Sequence, residues 1–436
     1  MPVRGIMVSR EVGRSHIVNI LDELAFRGLL FQTTDRDELE AFLEKDSISL
    51  YVGFDPTADS LHIGSLLPIL TLRRFQMAGH RPIAVVGGAT GLIGDPSGKK
   101  QERTLNGPET VADWTSKIRN QLSRFIDFDA QNNAAMVVNN FDWTSPMGVI
   151  EFLRDIGKNF SINTMLNRES VAARLETGIS FTEFSYMLLQ SNDFLQLFQR
   201  YNCILQIGGS DQWGNIVGGI DLIRRATGEQ AFGLTIPLVT KSDGTKFGKT
   251  ESGAIWLDPE KTSVYQFYQF WLNTPDDDVV KFLKYFTFLS QDEISDVELE
   301  VKTNPGARRG QRTLAEHVTD LVHGRAETDR AIHMSSVLFS GDIKGLSLEE
   351  IQEIFEGVPS TCVPADGATD IVSVLVASGA CSSRRQARED ITSGAISVNG
   401  DKMTELERAF TREEMFGGAF LVIRRGKKKY FLVKFD

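Results

Sequence analysis

The stretch from Ile48 to Lys100 constrains the fold more than any other. Ile48–Phe54 is apolar, with β-branched and aromatic residues, and it breaks at Asp55-Pro56, as a buried strand running into a loop does. Leu66–Phe75 follows at helical spacing, and Pro82–Val86 is a second apolar run ending in Gly87-Gly88. Strand, glycine-bearing loop and helix in repetition predict an α/β fold: a mostly parallel sheet with helices on both faces. Ligands in such sheets sit beyond the carboxyl ends of the strands. Downstream, 109–128 is helical, Ala135–Val138 is a strand, and 147–197 reads almost wholly as helix with a break near Thr177-Gly178. Cys203–Ile207 and Leu234–Val239 complete the strand set, with a polar loop from Gly208 and a helix through Arg225 between them. A catalytic domain over 1–260 is expected, with a helical insertion at about 115–200.

Beyond Pro259 the pattern turns helical, predicting an α-helical domain over 261–356. Residues 357–370, rich in Gly, Pro, Ser, Thr and Asp, read as a linker, and 371–436 as a small α+β domain. The 436-residue chain suits two or three domains, and its 41% hydrophobic content fills a sizeable core. Its net charge of −11 argues superficially against nucleic acid, yet 371–436 holds 12 Lys/Arg against 8 Asp/Glu. A compact basic segment on an acidic body is the more telling fact. Cys203, Cys362 and Cys381 are widely spaced, so neither a disulfide scaffold nor a CxxC zinc site is expected. No signal peptide, membrane span or metal-ligand set is recognised, which points to the cytoplasm.

Four constellations can carry chemistry. His62 lies in a glycine-punctuated loop at a strand-to-helix junction, where phosphates are received, although a histidine there can equally cap the helix. Gly64 permits close approach of a ligand. Lys246 and Lys249, interleaved with glycines, can neutralise a departing pyrophosphate or sit in a solvated hairpin. Glycines 87, 88, 91, 94 and 98, with Asp95, Lys99 and Arg103, form a loop opening straight from an apolar strand, which favours a ligand site. Tyr186, Gln190 and Asp193 share a helix face at i, i+4, i+7, able to read an ammonium and a hydroxyl, although spacing alone favours a solvated face.

Together these residues resemble the tyrosyl-tRNA synthetases, within the class I aminoacyl-tRNA ligases. His62-Ile63-Gly64-Ser65 is similar to the first class I signature, and Lys246-Phe247-Gly248-Lys249-Thr250 to the second. Ser65 replaces a histidine and Phe247-Gly248 replaces Met-Ser, while both lysines remain. Pro68 is expected in the first turn of the next helix, where its missing N–H costs nothing. The resemblance implies a Rossmann-like nucleotide-binding catalytic domain. It also implies that Tyr51 and Asp193 bind a phenolic hydroxyl, and that Tyr186, Gln190, Asp95 and Gln212 hold the ammonium end. Gly53, Asp55 and Thr57 would line the amino-acid and ATP site with Gly64 and Ser65, and Asp211 would meet the ribose. His62, Lys99, Arg103, Lys246, Lys249 and Thr250 would stabilise the α-phosphate and the leaving pyrophosphate.

The implied partners are L-tyrosine, ATP with Mg²⁺ carried on its phosphates, and tRNA(Tyr), in a homodimer; no DNA or membrane partner is expected. Residues 371–436 resemble a small RNA-binding module shared with a ribosomal protein. Arg384, Arg385 and Arg388 on one turn, and Arg424, Arg425, Lys427, Lys428 and Lys429 beyond it, are its expected phosphate contacts. The rival readings are a tryptophan ligase, an RNA-binding protein built on a disused ligase, and a nucleotidyltransferase that ignores tRNA. Tyr51 with Asp193, the retained His62, Lys246 and Lys249, and the basic module argue against them in turn.

Overall fold

The structure is a computed structural model describing residues 19–97, 105–172, 174–175, 178–242, 247–250, 253–340, 343–356, 358, 360–363, 370–426 and 429–435. The chain divides into two compact units: 1–261 with 274–314, and 262–273 with 315–436.

The first unit is built on a sheet of six strands: β1 (Gln32–Thr33), β2 (Ser49–Phe54), β3 (Arg81–Val86), β4 (Met136–Asn139), β5 (Cys203–Gly209) and β6 (Phe232–Ile236). Their order is β1-β6-β5-β2-β3-β4. Strands β2 to β6 are parallel, and the short β1 pairs antiparallel with β6 at the edge. The chain fills one side of β2 with β3 and β4, then returns to the other side with β5 and β6. The order therefore reverses between β2 and β5, where a crevice opens beyond the strand ends. Both faces of β2 are covered, which its run of buried Leu50, Tyr51, Val52 and Phe54 requires.

The helix after β2 begins at Ile63 rather than Leu66, because His62 caps it. Pro68 therefore sits in the second turn, not the first. Its missing N–H leaves the Gly64 carbonyl without a helical donor at the site's edge. The 147–197 stretch is not continuous helix. Gly148 and Gly157 punctuate short turns, one of them π-helical, and the long helix is Phe181–Tyr201. Ser180 caps its start through the Glu183 N–H, and Asn202, at φ 50°, ends it in the left-handed conformation.

Residues 274–314, expected with the helical domain, pack with the catalytic unit. Two buried arginines hold them there. Arg27 donates to the carbonyls of Lys284 and Thr287 at 3.0 Å, and Arg74 to that of Thr287 at 2.6 Å. A two-stranded hairpin, β7 (Lys249–Thr250) with β8 (Gly253–Ala254), also lies in the first unit.

The second unit carries a five-stranded sheet ordered β11-β10-β12-β13-β9. The strands are β9 (Ser360–Val363), β10 (Ile396–Val398), β11 (Asp401–Lys402), β12 (Phe420–Arg425) and β13 (Lys429–Phe435). β9 falls inside the expected linker; its β-branched Thr361 and Val363 suit a strand, and it pairs parallel with β13. Alternate residues serve two cores. Leu421, Ile423 and Val433 pack with Ile371, Leu375 and Ile391, whereas Val422 and Leu432 pack with Tyr265, Met334 and Ile351.

Candidate active site

Beyond the strand ends at the switch point lies a cavity of about 260 Å³. Tyr51, Gly53, Asp55, Thr57, Asp95, Tyr186, Gln190, Asp193 and Gln212, expected from positions far apart in sequence, all line it. Tyr51 and Gly53 share one face of β2 by its two-residue period. The helix Phe181–Tyr201 lays Tyr186, Gln190 and Asp193 along one side. That face is covered rather than solvated, with Tyr186 5% and Asp193 4% exposed.

Two hydrogen-bond networks tie the walls together. The Tyr186 hydroxyl donates to Asp55 Oδ2 at 2.6 Å, and Thr90 Oγ1 donates to Asp55 Oδ1 at 2.6 Å. Asn140 Nδ2 donates to Thr90 Oγ1 and to Asp193 Oδ2, each at 2.9 Å. Trp143 Nε1 donates to the other Asp193 oxygen at 2.7 Å. Across the cavity Gln212 Nε2 donates to Asp95 Oδ2 at 2.8 Å, and the Ser97 N–H to Asp95 Oδ1 at 2.9 Å. Asn215 Nδ2 donates to Gln190 Oε1 at 2.9 Å. Gly87 has no substitute in this packing, because a Cβ there would collide with the Asp55 carboxylate and the Thr90 hydroxyl.

Two buried polar atoms in the wall have no hydrogen-bond partner among the described residues: the Tyr51 hydroxyl and Gln206 Oε1. They stand on neighbouring strands, with Tyr51 and Gln206 paired in register. A buried unpaired group costs about 1–3 kcal/mol, so both atoms are suited to a ligand's polar groups. At Gly53 a Cβ would meet nothing within 4 Å, so the backbone itself faces open space.

The electrostatics divide the site. Burial pushes the Asp193 carboxyl up to about 7, against the pull of the Asn140 and Trp143 N–H groups and with the charge of Asp55 adding to the rise. Burial, then the neighbouring Asp193, raises Tyr51; burial, then Asp55 and Asp95, raises Tyr186. Asp211, at the loop's exposed turn, is raised by desolvation and by Asp95. A cavity lined by Asp55, Asp95 and Asp193 attracts an ammonium and repels phosphate.

The two motifs singled out in the sequence are brought together by backbone hydrogen bonds. His62 Nδ1 accepts the Gly64 N–H at 3.0 Å, which assigns the ring proton to Nε2. The ring of the exposed His62 thus both caps the helix and offers a donor. The Ile63 N–H donates to the Ile255 carbonyl at 3.0 Å, and the Leu257 N–H to the Leu61 carbonyl at 2.9 Å. The Ile255 N–H donates to the Gly248 carbonyl at 3.1 Å. Gly248, at φ 80°, lies so near Ile63 that a Cβ would stand 3.0 Å from its Cγ1. The second motif is thereby stitched to the first. Ser65 is half-buried in the first turn of the helix, its N–H bonded to the His62 carbonyl at 2.8 Å. Lys249 and Thr250 are described through their backbone strand, and Lys99, Arg103 and Lys246 lie outside the described residues.

Sequence reasoning missed Thr90, Asn140, Trp143 and Gln206. Gln206 had a signal, as the lone polar residue in the apolar run Cys203–Ile207. Asn140 had a weaker one, as the first residue past the end of a strand. Trp143 had none.

On the second unit, Arg384, Arg385 and Arg388 are exposed on the helix Arg384–Thr392. Arg425 is engaged internally, with Asp390 at 2.9 Å and the Ala380 carbonyl at 2.9 Å. Arg424 stands opposite Tyr430, and Lys429 opposite Arg425, in the pairing of β12 with β13, and Lys427 and Lys428 lie outside the described residues. Among the described residues no cluster of His, Cys, Asp or Glu could hold a metal ion, and no helix is long and apolar enough to cross a membrane.

Comparison with known proteins agrees with this geometry. Residues 43–340 match the family described as tRNA synthetases class I (W and Y), and 350–433 match the tyrosine–tRNA ligase SYY-like C-terminal domain. Tyrosine–tRNA ligase 1 of Bacillus licheniformis is 61% identical over 420 residues, covering 96% of this chain and all of that one. The Geobacillus stearothermophilus tyrosine–tRNA ligase is 60% identical over 419 residues, with coverage of 96% and 100%. A C-terminally truncated mitochondrial tyrosyl-tRNA synthetase of Aspergillus nidulans superposes with a TM-score of 0.67 at 32% identity, covering 74% of this chain and 94% of that one. A tryptophanyl-tRNA synthetase of Encephalitozoon cuniculi shares the fold alone, at 14% identity and a TM-score of 0.53 over 71% of this chain and 86% of that one. The chain belongs to the bacterial tyrosyl-tRNA synthetases, of the class I aminoacyl-tRNA synthetase family.

Proposed function

We propose that this chain activates L-tyrosine with ATP, releasing diphosphate, and then transfers tyrosine to the 3′-terminal adenosine of tRNA(Tyr). The observation that carries the reading is the buried Tyr51 hydroxyl, without a partner among the described residues, on a residue that lines a cavity together with the carboxylates Asp55, Asp95 and Asp193. A substrate phenol reaching Tyr51 and Asp193 pairs those groups. Phenylalanine leaves the Tyr51 hydroxyl unpaired, and tyrosine–tRNA ligase is itself the known example of this rejection, at roughly 10⁵-fold.

Asp95, Gln190 and Gln212 hold the substrate ammonium, with Tyr186 oriented by Asp55. The tyrosine carboxylate is already a nucleophile, so no general base is required. Its oxygen forms a bond to the α-phosphorus as the bond to the pyrophosphate oxygen breaks. What the protein supplies is alignment, and positive charge and donors where negative charge grows. His62 Nε2–H and the lysines of the second motif take that role at the rim, with Lys99 and Arg103. Gly53, Asp55, Thr57, Gly64 and Ser65 face the nucleotide, and Asp211 its ribose. Mg²⁺ enters with the phosphates as part of the nucleotide substrate. The terminal adenosine hydroxyl then attacks the tyrosyl carbonyl and AMP leaves.

Exposed Arg384, Arg385 and Arg388 are positioned for tRNA phosphates. A homodimer is supported by exposed Val149, Ile150, Leu153, Ile162 and Phe181 along the broken helical stretch. We place the reaction in the cytoplasm, in keeping with three free cysteines. ATP–pyrophosphate exchange with tyrosine, tryptophan and phenylalanine tests the reading. Tyrosine-dependent exchange is expected, and a preference for tryptophan overturns it. Arg388→Glu should leave exchange intact and lower tRNA charging several-fold; equal charging removes the RNA role of that helix.

A further inference from the structure

The helix Asp276–Phe286 turns one face to the second basic motif. Asp278, Phe282 and Phe286 recur at i, i+4 and i+8. Asp278, wholly buried, accepts the Ser242 N–H at 3.0 Å and the Ser242 hydroxyl at 3.1 Å. It also accepts Lys281 Nζ at 2.7 Å, and the same ammonium donates to the Thr240 carbonyl at 2.9 Å. Within the motif Phe247 stacks on Phe286 with centroids 5.4 Å apart, and meets Phe282 edge-on at 5.0 Å. The C-terminal end of the helix is gripped by Arg74, whose own helix starts at His62. One strut thus connects the first signature's helix to Ser242, ahead of the second signature, and to Phe247 within it.

An apolar contact would have held this helix in place. Burying a carboxylate is costly unless its partners are all present, and what such a group adds is direction. Here burial opposes ionisation, yet the Lys281 and Ser242 bonds outweigh it and keep the carboxyl below its ordinary range. Catalysis that depends on alignment is sensitive to such direction, since a misplacement of about 1 Å can cost on the order of 100-fold in rate.

We propose that Asp278, acting through Ser242 and together with the Phe247 anchor, is a positioning residue for adenylate formation. It fixes the register of Gly248–Thr250 against His62–Ser65 without touching substrate. The proposal rests on the reading of the chain as a tyrosine-activating enzyme, and it separates two quantities. The tyrosine pocket is formed by other elements, so tyrosine affinity is indifferent to this latch. The rate of the chemical step is not.

The test uses the full chain carrying Ser242→Ala, Ser242→Thr, Asp278→Asn and Phe247→Leu. Single-turnover adenylate formation, tyrosine affinity by equilibrium binding, and Tm are read for each. Asp278→Asn is expected to slow adenylate formation by about 10- to 100-fold, with tyrosine affinity unchanged. Ser242→Ala should slow it less, and Ser242→Thr, which keeps both donors, should restore the parent rate. Unchanged rates overturn the proposal. So does a parallel fall of rate, tyrosine affinity and Tm, which marks a merely structural contact. Should Asp278→Asn fail to fold, the Ser242→Ala and Ser242→Thr pair decides. An inactive parent chain overturns the tyrosine-activation reading itself, whereas an active parent with unaltered variants overturns the positioning alone.

Discussion

At the scale of single residues, the site trades stability for recognition. The Tyr51 hydroxyl is buried without a partner among the described residues, so Tyr51→Phe should leave stability unchanged or raise it by up to ~1 kcal/mol. The same change should raise the KM for tyrosine and reduce discrimination against phenylalanine by roughly 10-fold. Chemical denaturation and exchange kinetics would read the two effects separately; if both fell together, Tyr51 would be structural. Asp193 adds a pH dependence. With its carboxyl pushed up to about 7, the folded chain holds a proton that the unfolded chain releases near 4. Stability from this group is therefore full below pH 4 and is lost as pH rises to about 7, with a slope of at most ~1.4 kcal/mol per pH unit. Asp193→Asn should flatten that part of the urea-denaturation profile whatever its offset, and an unaltered slope would assign the titration elsewhere. These roles were only partly legible. Tyr186, Gln190 and Asp193 could be set on one helix face by their i, i+4, i+7 spacing, whereas the place of Tyr51 came from the family resemblance. Asn140, Trp143 and Thr90 act through contacts between residues 35 to 53 positions apart, which periodicity does not report.

At the scale of elements, the first signature proves to be a helix cap, beside the phosphate role proposed for it. Of the two readings of His62 left open by the sequence, the capping one holds, because Nδ1 accepts the Gly64 N–H; the phosphate role stays the one proposed above. His62→Asn retains a capping group and removes the Nε2–H donor. It should leave Tm nearly unchanged while slowing adenylate formation by about 100-fold or more; a fall in Tm with little loss of rate would make His62 a cap alone. The strand–loop–helix pattern was legible because β2 and β3 are buried on both faces and read as unbroken apolar runs. Where glycines and exposed apolar residues interrupt the 141–172 stretch, helical periodicity overstated continuity. The start of the Ile63 helix was misplaced by three residues because histidine is an uncommon cap, and Pro68 moved out of the first turn with it.

At the scale of the whole chain, composition understated how the molecule is partitioned. The shift to a helical pattern at Pro259 is real, but it does not mark where one core ends. Arg27 and Arg74 draw residues 274–314 into the catalytic unit by satisfying carbonyls at a helix end, a bond type without a sequence signature. The exposed apolar residues 149–181 make the association state a prediction of its own. Ile150, 72% exposed, replaced by Glu should give a monomer in sedimentation at micromolar concentration, with the tyrosine pocket intact. An unshifted dimer would locate the interface elsewhere. The pairing of β9 with the last strand, β13, carries a consequence for synthesis. The ribosome makes Tyr265 first, Met334 and Ile351 later, and Leu432 later still, yet these residues share one core. The second unit cannot close until β13 has left the exit tunnel. A nascent chain stalled after β12 should therefore expose that apolar surface to chaperones and proteases, while release of the last strand shuts it in a single late step.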